Sequence, residues 1–321
     1  MITIFSLPKS FEGHISVIQR NAIQSWKLLN PACEIILFGN DDGIDEAAKK
    51  YGVRHFPNVE RNEFGTPLLS DTFLKAKSIA RFPILCFINS DIILTESLQK
   101  ISNQIPFEKF LLVGRRWNMD IHELLDFNRA GWQDELRLKA AREGSLFTDF
   151  GIDYAVFPKV LFPVMPPFAI GRPAWDNWLL YRARVEGAEL IDMTDAFPVI
   201  HQNHEYPSHL KDGSSGLWAG PESRRNLELA GDMDYCFHIG DANWVLNASG
   251  IHPAGSCPFK SPREITKWLV LNENRPLISW IAKPILQIRL KLRRIVRSFR
   301  QEFYEKYFHH TCPNKTTNIH Q

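Results

Sequence analysis

Ile84-Leu85-Cys86-Phe87-Ile88-Asn89-Ser90-Asp91-Ile92-Ile93-Leu94 is an apolar run broken by one polar triplet. Its flanks are rich in Ile, Leu and Phe, the composition of a strand buried in a parallel sheet. A lone aspartate there is costly unless it is paired or holds a cation. Ligand sites in open α/β sheets lie at the carboxyl ends of strands. A carboxylate at Asp91 is therefore well placed to hold a divalent metal. The triplet also suits a plain strand-end turn, with Asn89 and Asp91 capping backbone groups. The rest of the chain weighs towards the metal.

Upstream of this run, strands and helices alternate. Ile2 to Ser6 reads as a strand, and Ile15, Ile18, Ala22, Ile23 and Trp26 then recur at helical spacing. Asn30-Pro31 stops that helix. Glu34 to Phe38 is a second strand, followed by an acidic turn at Gly39 to Gly43. Ile44 to Tyr51 is a short helix, Val53 to Phe56 a strand, and Leu68 to Ala80 a helix that leads into the opening run. Downstream, Lys109 to Arg115 reads as a strand and about Asp120 to Arg142 as a charged helix. A strand at Tyr154 to Phe157 comes next, then a helix at Ala174 to Val185 and short strands at Glu189 to Asp192 and Ala196 to Ile200. Such alternation implies an α/β fold, a mostly parallel central sheet flanked by helices.

Composition narrows the class. With 321 residues and 44% hydrophobic content the chain can bury a sizeable core. A net charge of +2 offers no global attraction to nucleic acid. Five widely spaced cysteines form no Cys-x-x-Cys pair, which argues against a disulfide framework and for a reducing, cytoplasmic setting. The amino terminus reads as a first strand rather than a signal peptide. The longest apolar candidate for a membrane span, Trp268 to Ile285, is interrupted by Asn272, Glu273, Asn274 and Arg275.

Strand, helix, strand with an acidic turn, helix, then a strand ending in x-x-Asp: over residues 1 to 205 this order resembles the nucleotide-sugar domain of GT-A-type glycosyltransferases. Members of that family carry an Asp-x-Asp motif after an apolar strand, which holds a divalent cation, Mn²⁺ or Mg²⁺, against the donor diphosphate. Here the motif stands as Asn89-Ser90-Asp91. Asn89 can give a carbonyl oxygen to a hard cation but contributes no charge. The resemblance implies a nucleotide-diphosphate sugar as donor and a hydroxyl acceptor on a glycan, glycolipid or other molecule.

Later segments extend the resemblance. It implies that Gly151 and Asp153, in Thr148-Asp149-Phe150-Gly151-Ile152-Asp153, contact the donor sugar. A turn before a strand explains the same residues. It implies that Asp176, at a loop-to-helix junction between Trp175 and Trp178, is the general base. A carboxylate that merely complements the helix dipole is the plainer reading there. One of the two tryptophans could stack on a sugar face. His201, or alternatively His204, completes the metal site in the family pattern; a hydrogen-bonded core histidine is the other reading. Thr66 and Asp71 lie where that pattern puts base or ribose contacts, and Lys75 or Lys77 could face the diphosphate, although a solvated helix face is the plainer account of Asp71 and the lysines. Arg115-Arg116 follows a strand, and Arg115 could border the diphosphate or the acceptor; an ordinary basic loop is an equal account.

The carboxyl-terminal part, residues 261–321, reads as a helical extension to a catalytic domain at 1–260. Between Lys283 and Phe308, Ile285, Ile288, Leu292, Ile295, Phe299 and Phe303 recur at spacings of three and four. Arg289, Lys291, Arg293, Arg294, Arg297 and Arg300 lie between them. This basic amphipathic helix suits the surface of an anionic membrane, peripherally at its inner face, or packs on the domain with a solvated basic face. Two other function classes stand beside glycosyl transfer: a metal-dependent nucleotidyltransferase or hydrolase, and a non-catalytic sugar-nucleotide binder. No G-x-x-x-x-G-K-[ST] loop is present near the start, which lowers the former.

Overall fold

The strands at Ile2–Ser6 (β1), Glu34–Phe38 (β2) and Ile84–Ile88 (β4) are apolar on nearly every residue and almost wholly buried. That pattern fits central strands covered on both faces. In the computed structural model of the protein they lie side by side and parallel, with β1 between β2 and β4. The structure describes residues 1–204, 218, 220–255 and 261–308, of which 294 and 296–308 are described as helix backbone alone. It divides into two compact units, Met1–Cys257 and Pro258–Gln321.

Between the central strands run Gly13–Lys27 (α1), Ile44–Tyr51 (α2), Arg54–Phe56 (β3) and Leu69–Ile79 (α3). After β4 come Ile92–Leu94 (β5), Leu98–Ser102 (α4), Phe110–Val113 (β6), Arg116–Met119 (β7), Trp132–Glu143 (α5), Ser145–Leu146 (β8) and Tyr154–Pro158 (β9). Trp175–Val185 (α6), Glu189–Asp192 (β10), Val199–Gln202 (β11), Pro221–Ala230 (α7), Trp244–Asn247 (β12) and Gly250–Pro253 (β13) complete the first unit.

The main sheet has the order β13-β12-β10-β6-β9-β4-β1-β2-β3. It is parallel except for β9, which runs antiparallel between β4 and β6, and the edge hairpin β12–β13. A smaller sheet, β5-β11-β7-β8, stands beside it. The fold is therefore α/β, a mostly parallel central sheet flanked by helices, with helices again at the carboxyl end.

Strand alternation sends one set of side chains to each face. Phe5 on β1 meets Phe38, Phe73, Phe87 and Phe157 at ring-centroid distances of 5.2–6.5 Å. The opposite face carries Ile4, Leu37, Cys86, Ile88 and Val156, covered by Ala22, Ile23, Trp26, Ala47 and Ala48 from α1 and α2.

Two sequence expectations are corrected here. The opening run is not one strand with a polar break. Its halves are β4 in the main sheet and β5 in the small one, so the triplet is a corner between sheets. The charged helix begins at Trp132 rather than Asp120. The preceding backbone is diverted by side chains: Asn21 Oδ1 accepts from Leu125 N–H at 2.9 Å, and Asp126 Oδ1 from Asn128 N–H at 3.0 Å. Gly131, at φ 78°, then turns the chain into α5.

Phe5→Ala empties the middle of the aromatic cluster. It is expected to lower unfolding free energy by about 3–5 kcal/mol in urea titration.

Candidate functional site

The corner at Asn89-Ser90-Asp91 is fixed from several sides. Ser6 Oγ donates to Ile88 O at 2.6 Å, and Trp26 Nε1 to Ile92 O at 2.9 Å. Ser90 Oγ donates to Gln19 Oε1 at 2.9 Å, and Gln19 also pairs with the backbone of Lys9, in the loop after β1. Asp91 O accepts from both the backbone N–H and the side-chain nitrogen of Gln202, at 3.2 and 3.1 Å. Gln202 is fully buried and is held in turn by Asn21 and Ile18 O.

Antiparallel pairing of β5 with β11 sets His201 opposite Ile92. That register brings the imidazole to the aspartate preceding Ile92. Asp91 Oδ2 lies 3.6 Å from His201 Nε2 and 3.2 Å from His204 Nε2. The three residues offer ligand atoms within 4.8 Å of one another. Burial works to raise the Asp91 carboxyl, but the hydrogen bonds and charge of His201 and His204 outweigh it and hold it well below the usual carboxylate range. Asp91 Oδ1 and His201 Nδ1 are buried with no hydrogen-bond partner among the described residues. Buried polar atoms are nearly always satisfied, so an orphaned carboxylate oxygen beside two imidazoles fits a cation ligand set. This cluster fits a divalent metal by its own donor chemistry.

Asn89 has another contact. Its backbone N–H donates to Asp153 O at 2.8 Å and its side-chain nitrogen to Asp153 Oδ1 at 2.9 Å. The Ile88–Tyr154 register of β4 against β9 sets these residues side by side. Asp153 also forms a buried ion pair with Arg116 of β7, whose guanidinium stacks 4.2 Å above the Phe147 ring. The other Asp153 oxygen, Oδ2, is buried without a partner.

Asp176 stands in the first turn of α6, directly after Ala174, a non-glycine residue at φ 83°. Strain of that kind costs on the order of 1–3 kcal/mol and clusters at functional sites. The α6 amino terminus is anchored by Trp175, packed edge-on against Phe87 of β4 at 5.1 Å. Asn177 Nδ2 donates to Phe150 O and Phe237 O at 3.3 and 2.7 Å, which ties two loops to the same turn. Desolvation is the main cause that pushes the Asp176 carboxyl up, to about 7; the Asp153 charge adds to it and the Arg116 charge opposes it. Asn89, Asp153 and Arg116 thus link the Asp91 corner to the electrostatics of Asp176.

The other residues singled out from sequence lie in structural contacts. Asp71 Oδ2 accepts from Glu60 N–H at 2.8 Å and from Lys75 Nζ at 2.7 Å. Lys75 also donates to Asn58 O, and Lys77 to Phe162 O. Thr66 N–H donates to Asn62 Oδ1 at 3.0 Å. Arg115 Nε donates to Phe147 O at 2.6 Å, so it is Arg116 rather than Arg115 that pairs with Asp153. Gly151 makes room for a ring: a Cβ there would lie 2.4 Å from Phe147 Cε1. Both tryptophans are core residues, Trp178 against Phe168 as Trp175 is against Phe87.

Sequence reasoning missed Arg116 as a carboxylate partner, Asn177 as a clamp, and His238, whose Nδ1 lies 2.8 Å from Asp149 Oδ2. Only the Arg115-Arg116 doublet offered a signal. Glu205 and Tyr206, beside His204, lie outside the described residues.

No family model and no curated protein matches the chain. Among solved structures it is similar to glucosyl-3-phosphoglycerate synthase from Mycobacterium tuberculosis in complex with Mn²⁺, uridine diphosphate and phosphoglyceric acid. The identity is 18% and the TM-score 0.44, over 72% of this chain and 79% of that one. It is also similar to S. aureus TarS in complex with UDP-GlcNAc, at 11% identity and TM-score 0.42, over 73% of this chain and 72% of that one.

Two stability effects follow from this geometry. Arg116→Met leaves Asp153 buried and unpaired, and is expected to cost about 3–5 kcal/mol in urea denaturation. The Asp176 effect depends on pH. Its folded carboxyl keeps a proton up to about 7, whereas the unfolded chain releases it near about 3.9. The group therefore favours the folded state at low pH, and that contribution is lost as pH rises through 7. Asp176→Asn should match the wild type only below about pH 4, gain on it as pH rises from there to about 7, and exceed its melting temperature at about pH 8.

Proposed function

We propose that the protein is a glycosyltransferase that moves a sugar from a nucleoside-diphosphate donor to a hydroxyl acceptor. One observation carries this reading. The Asp91–His201–His204 cluster, with an orphaned carboxylate oxygen, lies at the carboxyl end of β4, and the neighbouring Asn89 holds the Asp153–Arg116 pair whose charges act on Asp176, a carboxyl pushed up to about 7. Asp91, His201 and His204 would hold a divalent cation, Mn²⁺ or Mg²⁺. When bound there, such a cation offsets negative charge on the leaving diphosphate.

The remaining chemistry belongs to the chain's own residues. Asp176 accepts the proton of the acceptor hydroxyl through its carboxylate as that oxygen forms its bond to the anomeric carbon. The bond from the anomeric carbon to the diphosphate oxygen breaks, and its electron pair leaves with the nucleoside diphosphate. A base that titrates near 7 is present in both forms at neutral pH, which suits proton transfer in either direction. Arg116 and Asp153 act on Asp176 through their charges. Asn89 contributes by fixing Asp153. Support for a hydroxyl acceptor rests on this base and on the resemblance of the first 205 residues to GT-A-type enzymes.

The test is a screen of the pure protein against nucleotide sugars with Mn²⁺. Release of nucleoside diphosphate, with slow donor hydrolysis when no acceptor is present, is expected. Pyrophosphate release would mark a nucleotidyltransferase instead, and binding without turnover a sugar-nucleotide binder. In calorimetry, Asp91→Asn is expected to weaken Mn²⁺-dependent binding of uridine diphosphate by about tenfold or more. An unchanged affinity removes the metal role. Asp176→Asn is expected to lower kcat by about 10²-fold or more and leave that affinity unchanged. The wild-type rate should rise with pH through about 7, the limb on which Asp176 ionises.

A further inference from the structure

The second unit consists of helices at Pro262–Asn272 (α8) and Ser279–Phe308 (α9), which pack against each other. Helix α9 buries Ala282 and Leu286. A different set of large apolar side chains faces out: Ile281, Ile285, Ile288, Leu292 and Ile295, each between 39% and 58% exposed. Leu277 and Trp280, just before them, are 87% and 71% exposed. From Ile281 onward the steps are four, three, four and three residues, one continuous face of a helix. Isolated exposed apolar residues are ordinary, but a contiguous stripe marks an interaction surface. From Ile281 to Ile295 it runs about 21 Å. The side chains of Phe299 and Phe303, which the spacing adds to it, are outside the described part.

Charge selects the occupant. Seven Lys and Arg residues lie between Lys283 and Arg300, and no Asp or Glu between Pro276 and Gln301. The chain as a whole carries only +2, so this helix concentrates cations that the rest balances with acid. A second copy on the stripe would bring two cationic flanks together, which is repulsive. Nucleic acid would use the cations but not the isoleucines. An anionic lipid surface takes both, with the apolar face in the acyl boundary and the cations at the headgroups. Trp280, exposed in the first turn of the same helix, is a residue type that favours that boundary. No described helix is long and apolar enough to cross a membrane.

We infer that α9 is a peripheral docking surface for anionic membranes, lying in the interface on its Ile281–Ile295 stripe. This is independent of the glycosyl-transfer reading, and a protein inactive on every donor could still show it.

Full-length protein is sedimented with phosphatidylcholine vesicles containing none or about one third phosphatidylserine. Two variants accompany it: the triple change Ile285→Ser, Ile288→Ser and Leu292→Ser, and the double change Lys283→Gln and Lys291→Gln. All five side chains are exposed, so circular dichroism and melting temperature should match the wild type. Wild type is expected on the phosphatidylserine vesicles and not on the neutral ones. Its partition coefficient should fall about tenfold or more in the triple variant, and about tenfold in the double variant. Raising salt should weaken it. The inference is overturned by equal sedimentation with both vesicle types, by no binding at low salt, or by a triple variant that binds like wild type. It also fails if equilibrium ultracentrifugation shows a dimer that the triple variant abolishes, since a second copy then covers the stripe.

Discussion

The Asp91 carboxylate, half-buried at a corner between two sheets, is the constraint around which the first unit is organised. The chain leaves the main sheet at Ile88 and enters the small sheet at Ile92, and Asp91 is the last residue of the intervening turn. An ionised group in that position has to be compensated locally. Two histidines on and after β11 supply the compensation, and the antiparallel register of β5 with β11 delivers them. The buried amides of Asn21 and Gln202 lock that register from behind. Among the described residues one Asp91 oxygen lacks a hydrogen-bond partner. A divalent cation is the species whose chemistry matches what is left.

The same corner governs the region of α6. Antiparallel insertion of β9 beside β4 puts Asp153 next to Asn89 and in reach of Arg116 on the small sheet. The ion pair is therefore a strut between the two sheets, and its charges also act on Asp176. An asparagine at position 89 has a structural use here that an aspartate could not serve. Its amide nitrogen donates to the Asp153 carboxylate, whereas a second carboxylate would repel it. Asn89 is thus matched to its partner residue.

Much of the fold was legible in residue patterns. Ile84 to Ile88 carries the continuous apolar run of a doubly covered strand, and the alternation up to it fixes a parallel sheet. Helices with strong periodicity, such as those containing Ile18, Ala22 and Trp26 or Ile285, Ile288 and Leu292, were readable for the same reason. The helix expected from Asp120 was too long, because Asn21, more than a hundred residues away, captures the Leu125 amide. The β12–β13 hairpin, α7 and α8 were not marked from sequence, although Ser261, Pro262 and Glu264 carry the start signal of α8. In the site, Asp91, His201 and His204 were legible as polar residues after apolar strands, and Asp176 as an acid at a helix start. The placement of Thr66, Asp71, Lys75 and Arg115 against a ligand was carried by resemblance, and these side chains are engaged with their own neighbours.

By itself, then, the sequence determined element type, the buried faces and which acids and histidines end strands, because these depend on local periodicity and on the cost of burying charge. Only the tertiary structure decided that one apolar run is two strands in two sheets, that Arg116 and not its neighbour Arg115 pairs with Asp153, and that the Asp176 carboxyl is pushed towards neutrality. Each of these depends on strand register and on desolvation by residues distant in the chain. Neither is encoded in the composition of any single segment.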